Sequence, residues 1–176
     1  MALAAARPDL EVWGIEPMPE AAAIAQGRVA KLLCGPVEAM IEQLPAGHFD
    51  CITFNDVLEH LTDPWDVLRQ MRGKLADDGV IVASIPNIRH FPVVKALLKD
   101  ADFCYTKQGV LDRTHLRFFT EKSIKRMLAD CSYEQTQIIG LHWTPFPVVI
   151  SVLNRLMRRS FDDMHYRQFA IQAKPV

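Results

Sequence analysis

The segment CITFNDVLEHLTDPW, residues 51–65, places four polar side chains where an apolar run ends. Asn55 and Asp56 follow the apolar residues directly, and Glu59 and His60 come within the next four positions. A helix beginning near Asp56 would bring Asp56, Glu59 and His60 to one face, because residues three and four apart are neighbours on a helix. This combination of two carboxylates, an imidazole and an amide makes the segment a candidate for chemistry.

Three interpretations of this cluster are open. In the first it is structural: Asp56 caps the turn, Glu59 suits a helix N-terminus, and His60 orders a loop by hydrogen bonding. In the second, His60 is a general base that takes a proton from a substrate hydroxyl, since imidazole titrates near neutrality. In the third, Asp56, Glu59 and His60 hold magnesium or manganese, with His115 or His90 completing the ligands.

Short β-rich runs alternate with helical patterns through the first half of the chain. Strands are predicted over 10–16, 29–34, 49–54 and 80–85, and helices over 19–27, over 37–44 and from Pro64, with ADDG as a turn before the fourth strand. Asp63 is the predicted N-cap of the third helix, whose buried face carries Leu68, Met71 and Leu75. This alternation predicts one α/β domain over residues 1–176, with a Rossmann-like, doubly wound, mostly parallel sheet between two layers of helices.

The second half of the chain is less regular. Residues 88–119 show no long period, which predicts an inserted lobe or lid that contributes to a substrate site. Thr120 is the predicted N-cap of a helix over 121–131, and strands are predicted over 133–140 and 166–174. Between these strands, PFPVVISVLNRLMRR predicts an apolar helix that becomes basic at its end.

The segment LDRTHLRFF, residues 111–119, holds a second group of polar residues. Asp112, Arg113, His115 and Arg117 alternate with leucine and phenylalanine. One interpretation is a lid over the cleft, with His115 as a second candidate catalytic residue. The other is an Asp–Arg pair that anchors a loop.

A carboxylate also ends the first predicted strand. Ligands of open α/β sheets bind beyond the C-terminal ends of the strands, and Glu16 lies at such an end. There it could accept hydrogen bonds from both hydroxyls of a ribose. Cys34, Asn55 and Pro86 lie at the ends of the next three predicted strands, so a parallel sheet would bring all four points to one edge.

The segments GIEPMPEAAAIA, FDCITFNDVLEHLTDPWDVLRQM, ADDGVIVASIPN and GVLDRTHLRFFT together resemble the class I S-adenosylmethionine-dependent methyltransferases. The similarity extends over about residues 10 to 130 and is greatest to bacterial small-molecule and sugar methyltransferases with a D-V-L-E-H motif. It implies S-adenosylmethionine as methyl donor and an oxygen or nitrogen atom of a small molecule or sugar as acceptor. The acid-x-x-E-H segment also resembles metal-binding segments of some ubiquinone-pathway O-methyltransferases and small-RNA 2′-O-methyltransferases.

The resemblance implies a role for residues at three strand ends in binding the cofactor. They are Glu16, Pro17, Met18, Val37, Glu38, Asn55 and Asp56. Glu16 would bind the ribose, Pro17 and Met18 would lie beside the adenine, and Asn55 would lie near the methionine part. Relatives often have an aspartate where this chain has Pro36, so the adenine would rest here on backbone and apolar contacts.

Relatives normally begin with an apolar strand and a glycine-rich turn, and this sequence contains no G-x-G-x-G. The resemblance therefore predicts an N-terminally truncated chain that lacks the first strand and the glycine-rich loop and binds the cofactor weakly or not at all. Because that strand normally lies at the centre of the sheet, its absence would leave two strand edges open. The edges would pair directly, or a partner chain or a second copy would cover them.

Two other functions compete with methyl transfer. A non-catalytic methyltransferase-like remnant, acting as a partner or scaffold, is favoured by the missing glycines. A nicotinamide-dependent dehydrogenase would share the ribose-binding acid, but the D-V-L-E-H and P-N segments argue against it.

Charge and composition limit the partners. The 20 basic and 21 acidic residues nearly cancel, which argues against nucleic acid as an obligatory partner. The three arginines of RLMRRS are interpreted as the solvated face of a helix. The four cysteines form no C-x-x-C pair, there is no secretory pattern, and no apolar run reaches the roughly 18 residues that would span a bilayer. These features predict a cytoplasmic protein.

Overall fold

The computed structural model describes residues 9–176. The chain forms two compact units, residues 1–47 and 48–176. By the resemblance described above, MALAAARPD (residues 1–9) would be the tail of the helix that follows the glycine-rich turn in relatives, and its residues 1–8 lie outside the described residues. The single domain over residues 1–176 stays a prediction.

The first unit pairs two short parallel strands, β1 (Trp13–Glu16) and β2 (Lys31–Cys34). Helix α1 (Pro19–Ala25) connects them, and α2 (Val37–Met40) follows β2 and continues into a 3-10 turn over Ile41–Gln43. Pro19 occupies the first turn of α1, where its missing N–H removes no hydrogen bond. Glu16 is paired with Cys34, so two of the predicted strand ends lie side by side.

The second unit contains a four-stranded sheet in the order β3-β4-β6-β5. Its strands are β3 (Phe49–Asn55), β4 (Leu75–Pro86), β5 (Tyr133–Trp143) and β6 (Tyr166–Pro175). β3 and β4 are parallel, and β6 is antiparallel to both of its neighbours. Three of the four strands therefore run in the same direction, which confirms the mostly parallel sheet.

Helices α3 (Pro64–Arg72) and α5 (Glu121–Asp130) bury one face each, and both predicted N-caps are confirmed. The Asp63 carboxylate accepts a hydrogen bond from the Asp66 N–H at 3.0 Å. Thr120 and Ser123 form a reciprocal capping box. The fully buried apolar side chains of this unit include Leu58, Val67, Leu68, Ile81, Ile85, Ile124, Leu128 and Ala173.

The start of β4 differs from the prediction. Leu75 does not lie on the buried face of α3, because that helix ends at Arg72, and Leu75 instead pairs with Phe49 as the first residue of β4. The ADDG segment is part of this strand, where the register with β3 shifts. A Cβ at Gly79 would lie 2.7 Å from the carbonyl oxygen of Phe49, so this close approach requires glycine.

Residues 88–119 leave the sheet and return to the same point. The Ile88 N–H donates to the Phe119 carbonyl at 2.9 Å, and Asn87 and Phe119 form a parallel bridge. The segment contains a helix that the sequence analysis missed, α4 (Phe91–Asp100), which ends where Ala101 adopts φ +53°. The role of this segment as a lid stays a prediction.

Asn87, the asparagine of the P-N segment, holds the turn after β4 in place. Its buried amide nitrogen donates to the carbonyls of Asp163 and Tyr166, both at 2.9 Å, and its oxygen accepts from the Arg89 N–H at 3.0 Å. We expect Asn87→Asp to lower the free energy of unfolding by about 3 kcal/mol, because a carboxylate would face two carbonyl oxygens without a proton to donate. Urea denaturation at neutral pH measures this change.

Asn55→Asp is the matched control, since Asn55 lies at an exposed strand end. The same exchange there should change the free energy of unfolding by less than about 0.5 kcal/mol. Equal stability of the Asn87→Asp variant and the wild type would contradict this account of the turn.

Candidate functional site

The structure divides the predicted site residues between the two units. The first unit holds Glu16, Pro17, Met18, Val37 and Glu38, and the second holds Asn55, Asp56, His60 and His115. In the first unit, Oε1 of Glu16 accepts a hydrogen bond from the Met18 N–H at 2.9 Å, which orients the carboxylate at the end of β1. Val37 and Glu38 begin α2.

Asp56 follows β3 with a left-handed backbone, φ +53°. Its N–H donates to the backbone and side-chain oxygens of Ser84 at 3.2 and 3.1 Å, and its carboxylate accepts from the Gln168 amide. The helix predicted to begin at Asp56 is instead a single 3-10 turn, Leu58–His60. The predicted common helix face for Asp56, Glu59 and His60 is therefore wrong, since a left-handed residue cannot begin a right-handed helix.

Glu59 is the central residue of the site. Its side chain is only 1% exposed, and neither carboxylate oxygen has a hydrogen-bond partner among residues 9–176. Its carbonyl accepts from the N–H groups of Leu116 and Arg117 at 2.8 and 3.0 Å, which ties the 3-10 turn to the segment that carries His115. A carboxylate oxygen of Glu59 and one ring nitrogen each of His60 and His115 all lie within 4.8 Å of one another.

The pKa of the Glu59 carboxyl is raised from 4.5 to about 7, mainly by burial, and the neighbouring Asp56 contributes in the same direction. A buried carboxylate with no hydrogen-bond partner is unfavourable unless it takes up a proton or pairs with a cation. Perturbed acids of this kind are concentrated at functional sites. Glu59 therefore marks this part of the second unit as a candidate site.

Each of the two histidines has its Nδ1 beside a backbone carbonyl. Nδ1 of His60 lies 3.2 Å from the Thr114 carbonyl, and Nδ1 of His115 lies 3.0 Å from the Val110 carbonyl. Because a carbonyl only accepts, Nδ1 carries the proton in each ring, and Nε2 keeps a lone pair in the neutral form. Nε2 can then take a proton or bind a cation, and a carbonyl on the other nitrogen is the usual support for a metal-binding histidine.

The two histidines considered as a fourth ligand lie in different surroundings. His115 joins the cluster, whereas Nε2 of His90 lies 3.1 Å from the Thr144 hydroxyl. Burial lowers the pKa of His90.

The Asp112 carboxylate accepts hydrogen bonds from the N–H and the hydroxyl of Thr114 at 2.8 and 2.7 Å. These hydrogen bonds lower the pKa of the Asp112 carboxyl.

The arginines near Asp112 do not anchor the loop in the predicted way. Arg117 donates to the Thr62 carbonyl. Among residues 9–176, no ion pair joins Asp112 to an arginine. The predicted Asp–Arg anchor is therefore replaced by an Asp112–Thr114 turn.

A cavity of about 520 Å³ opens beside the cluster. It is lined by Asp56, Glu59, His60, Pro86, Gln108, Gly109, Val110, Asp112, His115, Arg167 and Gln168. A second cavity of about 400 Å³ shares Val110 and Arg167 with it. Sequence reasoning missed Arg167 and Gln168, because they lie about 110 residues from Asp56 and reach the cavity through the antiparallel return of β6.

Comparisons with known proteins agree with this architecture. Residues 1–138 match the family model of a methyltransferase domain. The chain belongs to this family, the class I S-adenosylmethionine-dependent methyltransferases.

Two curated relatives are ubiquinone biosynthesis O-methyltransferases, from Psychrobacter cryohalolentis and Psychrobacter arcticus. Each is 34% identical over 113 residues, which are 62% of this chain and 42% of the relative. This chain thus matches less than half the length of these relatives.

Solved structures show the same fold at lower identity. A methyltransferase from Archaeoglobus fulgidus has a TM-score of 0.67 at 16% identity, over 98% of this chain and 79% of that one. The 1,6-didemethyltoxoflavin-N1-methyltransferase of Burkholderia thailandensis, solved with bound 1,6-didemethyltoxoflavin and S-adenosylhomocysteine, has a TM-score of 0.56 at 16% identity. That match covers 94% of this chain and 61% of the Burkholderia chain.

Across residues 9–176, no helix combines the length and the apolar character needed to cross a bilayer.

Proposed function

We propose that this chain transfers a methyl group from S-adenosylmethionine to an oxygen or nitrogen atom of a small molecule or sugar. In this proposal the acceptor lies in the 520 Å³ cavity, beside Glu59, His60 and His115. The observation that carries it is the buried, unpartnered Glu59 carboxylate beside two imidazoles, inside the part of the chain that matches the methyltransferase family. The relatives named as O-methyltransferases favour oxygen as the acceptor atom.

The protein's main contribution to methyl transfer is alignment. S-adenosylmethionine supplies a methyl group that its sulfonium has already activated. The cavity has to hold the acceptor in line with that group and exclude water, which supplies most of the rate enhancement. An acceptor hydroxyl also has to lose its proton, and Nε2 of His60 is the candidate base, since Nδ1 is occupied by the Thr114 carbonyl.

The same three side chains fit a divalent cation. One carboxylate and two imidazoles are a common donor set, and a dication would compensate the charge of Glu59. Two nitrogen donors shift the preference from magnesium towards manganese or another transition metal. When bound, such an ion would favour the ionised form of an acceptor hydroxyl. Asp56 lines the same cavity but is bonded to Gln168, so it is not assigned as a direct ligand.

Cofactor contacts are proposed for the residues of each unit separately. One oxygen of Glu16 is taken by the Met18 N–H, which leaves the other for a ribose hydroxyl. Pro17, Met18, Val37 and Glu38 would contact the adenine, and Asn55 and Asp56 would contact the methionine part.

The second cavity suits the part of the acceptor that does not react. Its wall includes Val93, Leu97, Phe103 and Leu111, which favour an apolar substituent. A partner chain or second copy over the open sheet edges, and the cytoplasmic location, stay predictions.

An assay for S-adenosylhomocysteine release tests the function directly. The chain is incubated with S-adenosylmethionine and one member of each acceptor class: a catechol, an aromatic amine and a sugar, with and without Mn²⁺. We expect turnover with the catechol, and none when the acceptor is omitted. Weak binding of S-adenosylmethionine, with a dissociation constant above the micromolar range, stays a prediction for the sequence as given, which contains no G-x-G-x-G.

The alternative function is a non-catalytic partner or scaffold, and the absence of G-x-G-x-G favours it. Calorimetry with S-adenosylmethionine separates the two functions. No heat of binding, together with no turnover for any of the three acceptor classes, would contradict the enzymatic proposal and support the alternative.

A further inference from the structure

Helix α6 (Val148–Leu156) turns its apolar side outward. Five of its apolar side chains are exposed: Val148, Val149, Val152, Leu153 and Leu156, by 79, 76, 56, 42 and 77%. Their spacing places them on one face of the helix, since neighbours on a face are three or four residues apart. A surface helix normally buries its apolar stripe, so this arrangement is the reverse of the usual one.

Polar contacts hold α6 in this orientation. Asn154 is 7% exposed, and its amide nitrogen donates to Asp162 at 2.8 Å. Its side-chain oxygen accepts from the Phe161 N–H at 2.8 Å, and its carbonyl accepts from the Arg159 N–H at 2.7 Å. The polar residue is therefore anchored inward, and the valines and leucines on the other side must face out.

The end of α6 is basic. Arg155, Arg158 and Arg159 are exposed, and Arg159 pairs with Asp162 at 2.8 Å. Among residues 9–176, neither Arg155 nor Arg158 has an ion-pair partner within 4.0 Å. No acidic residue lies within α6 itself. Cations at a helix C-terminus are favourable in any case, but here they flank an exposed apolar face.

We propose that α6 docks this protein on the surface of an anionic lipid bilayer. An outward apolar face with arginines beside it is the pattern of a helix that lies in the membrane interface. The nine-residue helix is too short to span a bilayer and can only lie along it. The aliphatic side chains enter the headgroup region, and the guanidinium groups of Arg155 and Arg158 contact lipid phosphates. The charge complementarity selects anionic lipid over an apolar protein surface.

Co-sedimentation with sucrose-loaded vesicles tests this docking. The chain is mixed with vesicles of phosphatidylcholine alone or of equal parts phosphatidylcholine and phosphatidylglycerol, at low and high salt. We expect binding to the anionic vesicles at least tenfold stronger than to the neutral ones, because basic residues are attracted to an anionic surface, and weaker binding at high salt, because salt screens this attraction.

Two variants of α6 and two matched controls test whether this helix is responsible for binding to anionic vesicles. Val149→Ser/Val152→Ser and Arg155→Glu/Arg158→Glu should each weaken binding to anionic vesicles about tenfold or more. Leu98→Ser, at a residue of α4 that is also 79% exposed, and Lys122→Glu/Arg126→Glu, at exposed positions of α5, should keep binding within about twofold. Circular dichroism checks that every variant is folded.

Three outcomes would overturn the proposal. They are no binding of the wild type to anionic vesicles, equal losses in the control variants, and a salt-independent dimer that Val149→Ser/Val152→Ser dissociates. The last would make this face a protein interface between two copies of the chain.

Discussion

Glu59→Gln is expected to stabilise the metal-free protein above pH 7 and to abolish cation binding. The side chain is buried without a hydrogen-bond partner, and the pKa of its carboxyl is raised from 4.5 to about 7. Glutamine has nearly the same shape and carries no charge. At pH 8, in the presence of a chelator, the variant should therefore exceed the wild type by up to about 3 kcal/mol in free energy of unfolding.

The pH dependence of this stability difference follows from the protonation of Glu59 in the folded and unfolded chains. Below about pH 4.5 the carboxyl is protonated in both the folded and the unfolded chain, so wild type and variant should be similarly stable. Between about pH 4.5 and pH 7 the unfolded chain loses this proton while the folded chain keeps it, so wild-type stability falls as the pH rises. Above about pH 7 the loss is complete. Urea denaturation in the presence of a chelator at pH 5, 6, 7 and 8 measures this progressive difference.

Divalent cations should largely cancel this difference. Mn²⁺ in excess is expected to stabilise the wild type by about 2.7 kcal/mol at a concentration one hundred times the dissociation constant, and to leave Glu59→Gln unchanged. Glu42→Gln, at an exposed glutamate of the first unit, is the matched control and should behave as the wild type. If Glu59→Gln were less stable than the wild type at pH 8 without metal, the carboxylate would have a partner that the structure does not show.

His60→Ala and His115→Ala are expected to lower kcat/KM for methyl transfer on the order of a hundredfold each. A general base contributes about that factor or more, and so does a ligand of a catalytic cation. The affinity for S-adenosylmethionine should be unchanged, since neither histidine is assigned to the cofactor. His142→Asn is the control, because His142 is exposed with φ +55°, which asparagine tolerates.

The roles of the two histidines are separated by a chelator and by pH. If the cluster holds a cation, chelation should abolish turnover, Mn²⁺ should restore it, and both alanine variants should lose Mn²⁺ binding in calorimetry. If His60 is the base, turnover should survive the chelator, and His60→Ala should remove the acidic limb of the pH–rate profile. Full turnover by His60→Ala with the chelator present would contradict both the base and the cation-ligand interpretations, so that only the structural interpretation of His60 would remain.

Local sequence signals predicted the elements that depend on near neighbours. Asp63 and Thr120 were predicted as N-caps because an N-cap contact spans only two or three residues, and the structure has both. Glu16 was placed correctly at a strand end that lies beside Cys34, since the β-α-β order predicts parallel pairing.

Predictions failed where contacts distant in sequence decide the local conformation. Leu75 continues the apolar spacing of α3, yet pairing with Phe49 draws it into β4. Asp56 looked like the first residue of a helix, yet it adopts a left-handed backbone, with its N–H on Ser84 and its carboxylate on Gln168. Neither partner is visible in a local pattern.

The sequence by itself determined the class of this protein: the order of strands and helices predicted an α/β fold, and the resemblance of its motifs pointed to the methyltransferases. Both depend on residues close together in the chain. Only the tertiary structure decided that His115 rather than His90 joins Glu59 and His60, and that the apolar side of α6 faces out. The reason is physical. The surroundings of the Glu59 carboxylate come from segments tens of residues away, which leave it unpartnered beside two imidazoles. Asn154 is turned inward by Phe161 and Asp162, which lie beyond the end of its own helix.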